Sequence, residues 1–128
     1  MIFTATDQVP FDRMSSVMKF AEARELYLPI DLDRDRIATF CKKWNVERLE
    51  LFGSVLRNDF RRDSDVDFLY TFRPGAPIPG FGMHRMETEL QAIVGREIDL
   101  VSRKWIERSP NWIRRKSILD HARVIYVA

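Results

Sequence analysis

An α/β domain is the fold class that this sequence predicts, and three observations predict it. Apolar residues recur at helical spacing in residues 34–44 and 86–94. Short runs at 48–52, 66–72 and 97–101 are apolar or alternate with period two, as strands do. The two kinds of segment follow one another along 128 residues, an ordinary length for one domain.

Composition narrows the classes further. Hydrophobic residues make up 45% of the chain, with nine Phe and three Trp, so a real core is available and disorder is excluded. No apolar run reaches the roughly 20 residues that span a bilayer. The N-terminus, MIFTATDQVPFDR, lacks a basic segment followed by an apolar one, so no signal peptide is expected. The single cysteine, Cys41, excludes an internal disulfide and a cysteine zinc cluster, which fits a cytoplasmic protein. Net charge is +2. Arg108, Arg114, Arg115, Lys116 and Arg123 cluster near the C-terminus, but such runs are usually solvated helix faces. Direct nucleic-acid binding is therefore not expected.

The elements follow in order. Residues 1–30 read as an N-terminal extension with one helix, from the stripe Met14, Val17, Met18, Ala21, stopped by Pro29. It packs on the domain or dimerises; the stripe fits either. Residues 31–128 form the domain proper. Its first helix carries Ile37, Phe40, Cys41 and Trp44 on one stripe, with Asp33 as N-cap and Asn45 as stop, which makes Cys41 a packing residue. A strand over 48–52 turns at Gly53-Ser54 into a brief helix. A second strand, 66–72, separates Asp65, Asp67, Leu69 and Thr71 from Val66, Phe68, Tyr70 and Phe72. Residues 73–82 hold three of the six prolines and three of the five glycines and form a loop. Met86, Leu90, Ile93 and Val94 mark another helix, ended by Gly95. A strand over 97–101 follows. Ser109 and Pro110 open the last helix as cap and first turn, with Trp112, Leu119 and Ala122 on its core side, while Trp105 lies outside that pattern as an exposed anchor for a partner. Residues 124–127 add an edge strand or dock as coil. His84 and His121 have no partners at metal-ligand spacing.

The chemistry concentrates in residues 51–69, LFGSVLRNDFRRDSDVDFL. Gly53 lets the backbone turn sharply and leaves no side chain between the main chain and a ligand. Ser54 starts a helix, whose free N–H groups favour phosphate oxygens. Asp65 and Asp67, at i and i+2 of a strand, share one face. Paired hard-oxygen ligands on a rigid strand suit Mg²⁺ bridging to a polyphosphate. Asp99 joins them if its strand lies beside the second. Three carboxylates allow two Mg²⁺ ions, one gripping a triphosphate and one acidifying an acceptor hydroxyl with Asp99 as base. The bland alternative for Asp99 is a surface salt bridge to Arg96 or Arg103.

The segment GSVLRNDFRRDSDVDFLY resembles the Gly-Ser, ten residues, Asp-x-Asp signature of the nucleotidyltransferase (DNA polymerase beta-like) superfamily. It is most similar to the minimal nucleotidyltransferases (MNT domains) of MNT–HEPN toxin–antitoxin pairs, over about residues 37–126. The resemblance implies a small mixed β-sheet flanked by helices, with Gly53, Ser54, Arg57 and Ser64 binding the nucleotide and Asp65, Asp67 and Asp99 serving as metal-binding and catalytic residues. It implies ATP as substrate, Mg²⁺ as cofactor and a HEPN-type toxin ribonuclease as partner. The protein would transfer AMP to a tyrosine of that toxin as its antitoxin, in a hetero-complex. The alternatives are transfer to a small molecule or an RNA end, or a non-catalytic toxin-binding module.

Overall fold

A computed structural model of the protein describes residues 28–128. The helix expected over Met14–Ala21 lies outside the described residues. Helix α1 (Arg34–Lys43) leads into strand β1 (Val46–Phe52), a 3-10 turn (Gly53–Leu56) and strand β2 (Val66–Phe72). Helix α2 (Gly82–Val94), strand β3 (Ile98–Ser102), the short helices α3 (Arg103–Glu107) and α4 (Trp112–His121), and strand β4 (Arg123–Val127) complete the chain.

The four strands form one mixed sheet in the order β3-β2-β1-β4. β1 pairs antiparallel with both β2 and β4, and β2 pairs parallel with β3. The parallel pair needs a crossover, and α2 supplies it. Each strand shows two faces. Leu49 and Leu51 of β1, Val66 and Phe68 of β2 and Ile98 of β3 meet Ile37, Phe40 and Cys41 of α1 and Met86 and Leu90 of α2 in the main core. On the opposite face, Phe52, Leu69 and Ile106 form a smaller cluster beneath α3 and α4.

Local signals explain the boundaries. Asp33 caps α1 by accepting from the Arg36 N–H at 3.1 Å. Asn45 takes the left-handed φ of 59° that lets the chain leave α1 for β1. Gly95, at φ 82°, ends α2 by donating its N–H to Gln91. Glu89 ties the two helices together by accepting from Lys43 Nζ at 2.7 Å and Trp44 Nε1 at 2.9 Å. Cys41 is buried in the core, and desolvation pushes its thiol pKa up to about 12, so it packs as a small hydrophobe.

Several expectations are corrected. The helix expected after Gly53-Ser54 is a single 3-10 turn of four residues. α3 was not foreseen. The cap of α4 is Asn111, whose Oδ1 accepts from the Arg114 N–H at 3.1 Å; Ser109 instead accepts from the Asn111 N–H, one step earlier. Trp112 is 60% exposed, whereas Leu119 and Ala122 do pack inward. Among the described residues no helix is long and apolar enough to cross a membrane.

Candidate active site

The ends of three neighbouring strands build the site. In the sheet register Asp67 stands opposite Phe52, the last residue of β1, and opposite Asp99 on β3. Asp65 immediately precedes β2. Period-two alternation puts Asp65 and Asp67 on the face of Leu69, and Asp99 on the face of Val101. Leu69 and Val101 both belong to the smaller cluster, so the three carboxylates lie on the side that carries α3 and α4.

Gly53 follows Phe52 at φ +81°. A Cβ built there would collide with Asp67 Oδ2 and lie 3.2 Å from Asp67 Cγ. The positive φ favours glycine, and any Cβ would have to displace the Asp67 carboxylate. The turn thus delivers its backbone directly against a carboxylate, and this close approach ties the Gly-Ser element to the Asp-x-Asp element.

None of the three carboxylates is neutralised within the described residues. Arg103, an alternative partner for Asp99, instead donates to Glu50 Oε1 and Oε2 at 2.8 and 2.7 Å and to Glu107 at 3.0 Å. Arg96, the other alternative, lies over the Phe60 ring, 4.8 Å from its centroid, and donates to the carbonyls of Ser64 and Arg61. The surface salt-bridge reading of Asp99 is therefore not what the structure forms. Asp67 is half-buried while Asp65 and Asp99 are exposed. Desolvation, then the Asp99 and Asp65 charges, push the Asp67 pKa up to about 6, against an opposing pull from Arg57.

A group of acids that repel one another at the end of a sheet fits a divalent cation. Among the described residues no group of three or more His, Cys, Asp or Glu side chains is placed to hold a metal ion by itself. Mg²⁺ seldom uses an all-protein cage: it keeps several waters and takes one or two carboxylates together with substrate phosphates. Asp65, Asp67 and Asp99 offer hard oxygen donors and leave that space open.

The remaining candidates surround this centre. Ser54 is the second residue of the 3-10 turn, and its carbonyl accepts from the Arg57 N–H at 2.9 Å. Arg57 is exposed and pairs with Asp59 at 3.1 Å, which holds the Asp59 carboxyl below its ordinary pKa. Such exposed pairs contribute little, so Arg57 can exchange Asp59 for a stronger anion. Ser64 has a local role: its hydroxyl accepts from the Arg61 N–H at 2.9 Å and its N–H donates to the Arg61 carbonyl. With Arg96 it fixes the loop that delivers Asp65 to β2.

Two features had escaped the sequence reading. The first is the Glu50–Arg103 pair. Glu50 is 2% exposed within the sheet and anchors α3 on the carboxylate face. The second is a groove of about 790 Å³ between the Gly53 turn and α4, with Phe52, Leu56, Arg57, Ile113, Arg114 and Ile118 in its lining. A volume of that order accepts a nucleotide-sized ligand.

Comparison with known proteins finds similar sequences and folds. The nucleotidyltransferase domain family matches residues 34–125. Over 67 residues, 52% of this chain and 70% of the relative, the sequence is 31% identical to a Methanocaldococcus jannaschii protein provisionally named protein adenylyltransferase MJ0435. A solved structure provisionally described as a minimal nucleotidyltransferase is similar with a TM-score of 0.53 and 29% identity, covering 70% of this chain and 85% of its own. A toxin–antitoxin crystal structure with AMP-PNP has the same fold, at a TM-score of 0.56 and 16% identity, over 76% of this chain and 75% of its own.

Proposed function

The chain belongs to the nucleotidyltransferase family, and from that premise we propose that it transfers AMP from ATP to a tyrosine hydroxyl of a partner HEPN-type toxin ribonuclease, as the antitoxin to that toxin. One observation carries the chemistry: three carboxylates that make no salt bridge among the described residues lie at the strand ends beside a glycine whose positive φ and close approach to Asp67 disfavour any side chain. The relative named as an adenylyltransferase supports AMP as the transferred group and a protein as the acceptor. The shared fold with a toxin–antitoxin structure holding AMP-PNP supports the antitoxin role.

Each residue has a part. The Gly53 backbone admits a phosphate close to the main chain, Ser54 donates a hydroxyl hydrogen bond, and Arg57 turns from Asp59 to the triphosphate. Ser64 holds the facing loop in place along the nucleotide. Asp65, Asp67 and Asp99 would hold two Mg²⁺ ions, which would supply charge neutralisation and an acidified acceptor hydroxyl. Asp99 takes the acceptor proton as its oxygen forms a bond to the α-phosphorus. The bond from the α-phosphorus to the bridging oxygen breaks, and pyrophosphate leaves with the electron pair.

The test adds α-labelled ATP and Mg²⁺ to lysate of the source organism, with wild-type protein or with an Asp65→Asn, Asp67→Asn double variant. A single labelled protein band, absent with the variant, is expected. Label confined to a small molecule or to RNA would overturn the protein acceptor. Full neutralisation of the toxin by the double variant would overturn catalysis as the basis of the antitoxin role.

A further inference from the structure

We infer that the outer surface of α3 and α4 is the docking face for the protein acceptor, and that the acceptor meets it with an acidic segment bearing apolar side chains. This inference rests on the reading of the chain as a protein-directed nucleotidyltransferase and identifies the kind of surface its acceptor must present.

The first ground is exposure. Trp105, Trp112 and Ile113 are 76%, 60% and 65% exposed, all within residues 105–113 and on two helices that contact each other. α4 has no fully buried residue: Ile118 and Leu119 turn partly inward, and its first turn presents Trp112 and Ile113 to solvent. Tryptophans at the centre of an interface are the residues whose truncation costs most.

The second ground is charge. Lys104, Arg108 and Arg114 neighbour these apolar groups in sequence, are exposed, and pair with no carboxylate among the described residues. The acids nearby are already engaged, Glu107 by Arg103 and Asp120 by Lys116. The face therefore carries uncompensated positive charge, complementary to an acidic partner. Tryptophan with arginine also suits single-stranded RNA. Three free cations are few for nucleic acid, however, whose binding strengthens with each phosphate neutralised, and an aliphatic Ile113 offers a base no stacking surface.

The third ground is continuity with the catalytic end. Ile113 and Arg114 belong both to this face and to the lining of the groove, whose opposite wall is Phe52, Gly53 and Arg57. A partner seated on Trp105 and Trp112 can pass a side chain along the groove toward the carboxylates.

The test uses fluorescein-labelled random copolymers and anisotropy. The probes are a Glu/Tyr copolymer, a Lys/Tyr copolymer and oligouridylate. The proteins are wild type, a Trp105→Ala, Arg108→Glu double variant, and Lys42→Glu on α1 as a remote charge reversal. The Glu/Tyr copolymer is expected to bind wild type and Lys42→Glu equally and the double variant at least about tenfold more weakly, with binding of an ATP analogue unchanged in all three. Absence of Glu/Tyr binding, equal binding by the double variant, or tighter binding of Lys/Tyr copolymer or oligouridylate would each overturn the inference. Intact Glu/Tyr binding without label transfer from ATP to any protein would instead defeat the transfer reading and leave the docking face standing. A thermal melt of the double variant matching wild type confirms that the loss is local.

Discussion

The two faces of the sheet are built from the same strands and do different work. On one face Val66, Phe68, Leu49 and Leu51 disappear beneath α1 and α2 in a closed apolar core. On the other, Leu69 of β2 and Glu50 and Phe52 of β1 are buried beneath α3 and α4, while Asp67, at the strand end, is only partly covered. The first face buries almost entirely apolar surface. The second accepts like charges at its open end and a buried ion pair behind them, both of which cost stability unless compensated. Period two is what permits this division: neighbouring residues of one strand can serve stability and chemistry without sharing a side chain.

The largest expected effect breaks the open face alone. Under the proposed mechanism Asp65→Asn or Asp67→Asn removes charge that would hold Mg²⁺, and a loss of several kcal/mol of transition-state stabilisation corresponds to a roughly thousandfold loss of the proposed AMP transfer. Thermal unfolding of either variant is expected at or above the wild-type temperature, so a variant that loses activity by unfolding would contradict the separation of faces. Gly53→Ala breaks the point where turn and carboxylate meet. Its positive φ and the Asp67 collision predict a stability loss of about 1–3 kcal/mol together with lost transfer, measured by denaturant unfolding and the labelling assay.

The closed face gives the converse. Phe68 is fully buried, and Phe68→Ala is expected to cost about 3–5 kcal/mol in urea unfolding while the remaining folded protein binds an ATP analogue normally. Glu50→Gln sits between the two cases. It leaves Arg103 without its carboxylate inside the fold, and breaking a buried pair costs about 3–5 kcal/mol; Arg103 retains Glu107, which places the loss near the lower figure. Because α3 is anchored by that pair, Glu50→Gln should also weaken acceptor binding more than Phe68→Ala does.

Much of the closed face was legible in the sequence, because its signals are local. The 66–72 strand was expected and found over the same residues, and Asp33 and Gly95 cap the helices they were read to cap. The conjunction of Asp67 and Asp99 depended on one pairing, β2 beside β3, and the register supplies it. The open face was less legible for a physical reason. Glu50 in VERLELF reads as a solvated alternate position, since the arginine that buries against it, Arg103, is 53 residues away, while its neighbour Arg48 reaches it only at 3.6 Å. The inward stripe of α4 likewise gave no sign that its first turn stays uncovered, because periodicity identifies which residues share a side and not how far a neighbour reaches. Trp112 was assigned to the core on that basis and lies largely in water.

The smallest effect sharpens the comparison most, since it sets the buried Glu50 against the half-buried Asp67 on the open face. Glu50 has Arg103 as counter-charge; Asp67 faces Asp65 and Asp99 instead. Its pKa rises from the ordinary 3.8 to about 6, so between those values the folded chain keeps a proton that the unfolded chain releases. The folded state then binds more protons, and stability falls as pH rises through that window. Asp67→Asn removes the penalty. Its stability should be flat from pH 4 to 6.5 where wild type declines, with a gain at neutral pH of about 1 kcal/mol, below the full conversion because half of the carboxylate meets water. Mg²⁺ with an ATP analogue should reverse the wild-type decline by occupying the same charge and should stabilise the variant far less. A wild-type profile that rises with pH would mean that Asp67 finds a counter-charge in solution, and the open face would then resemble the Glu50 pair behind it.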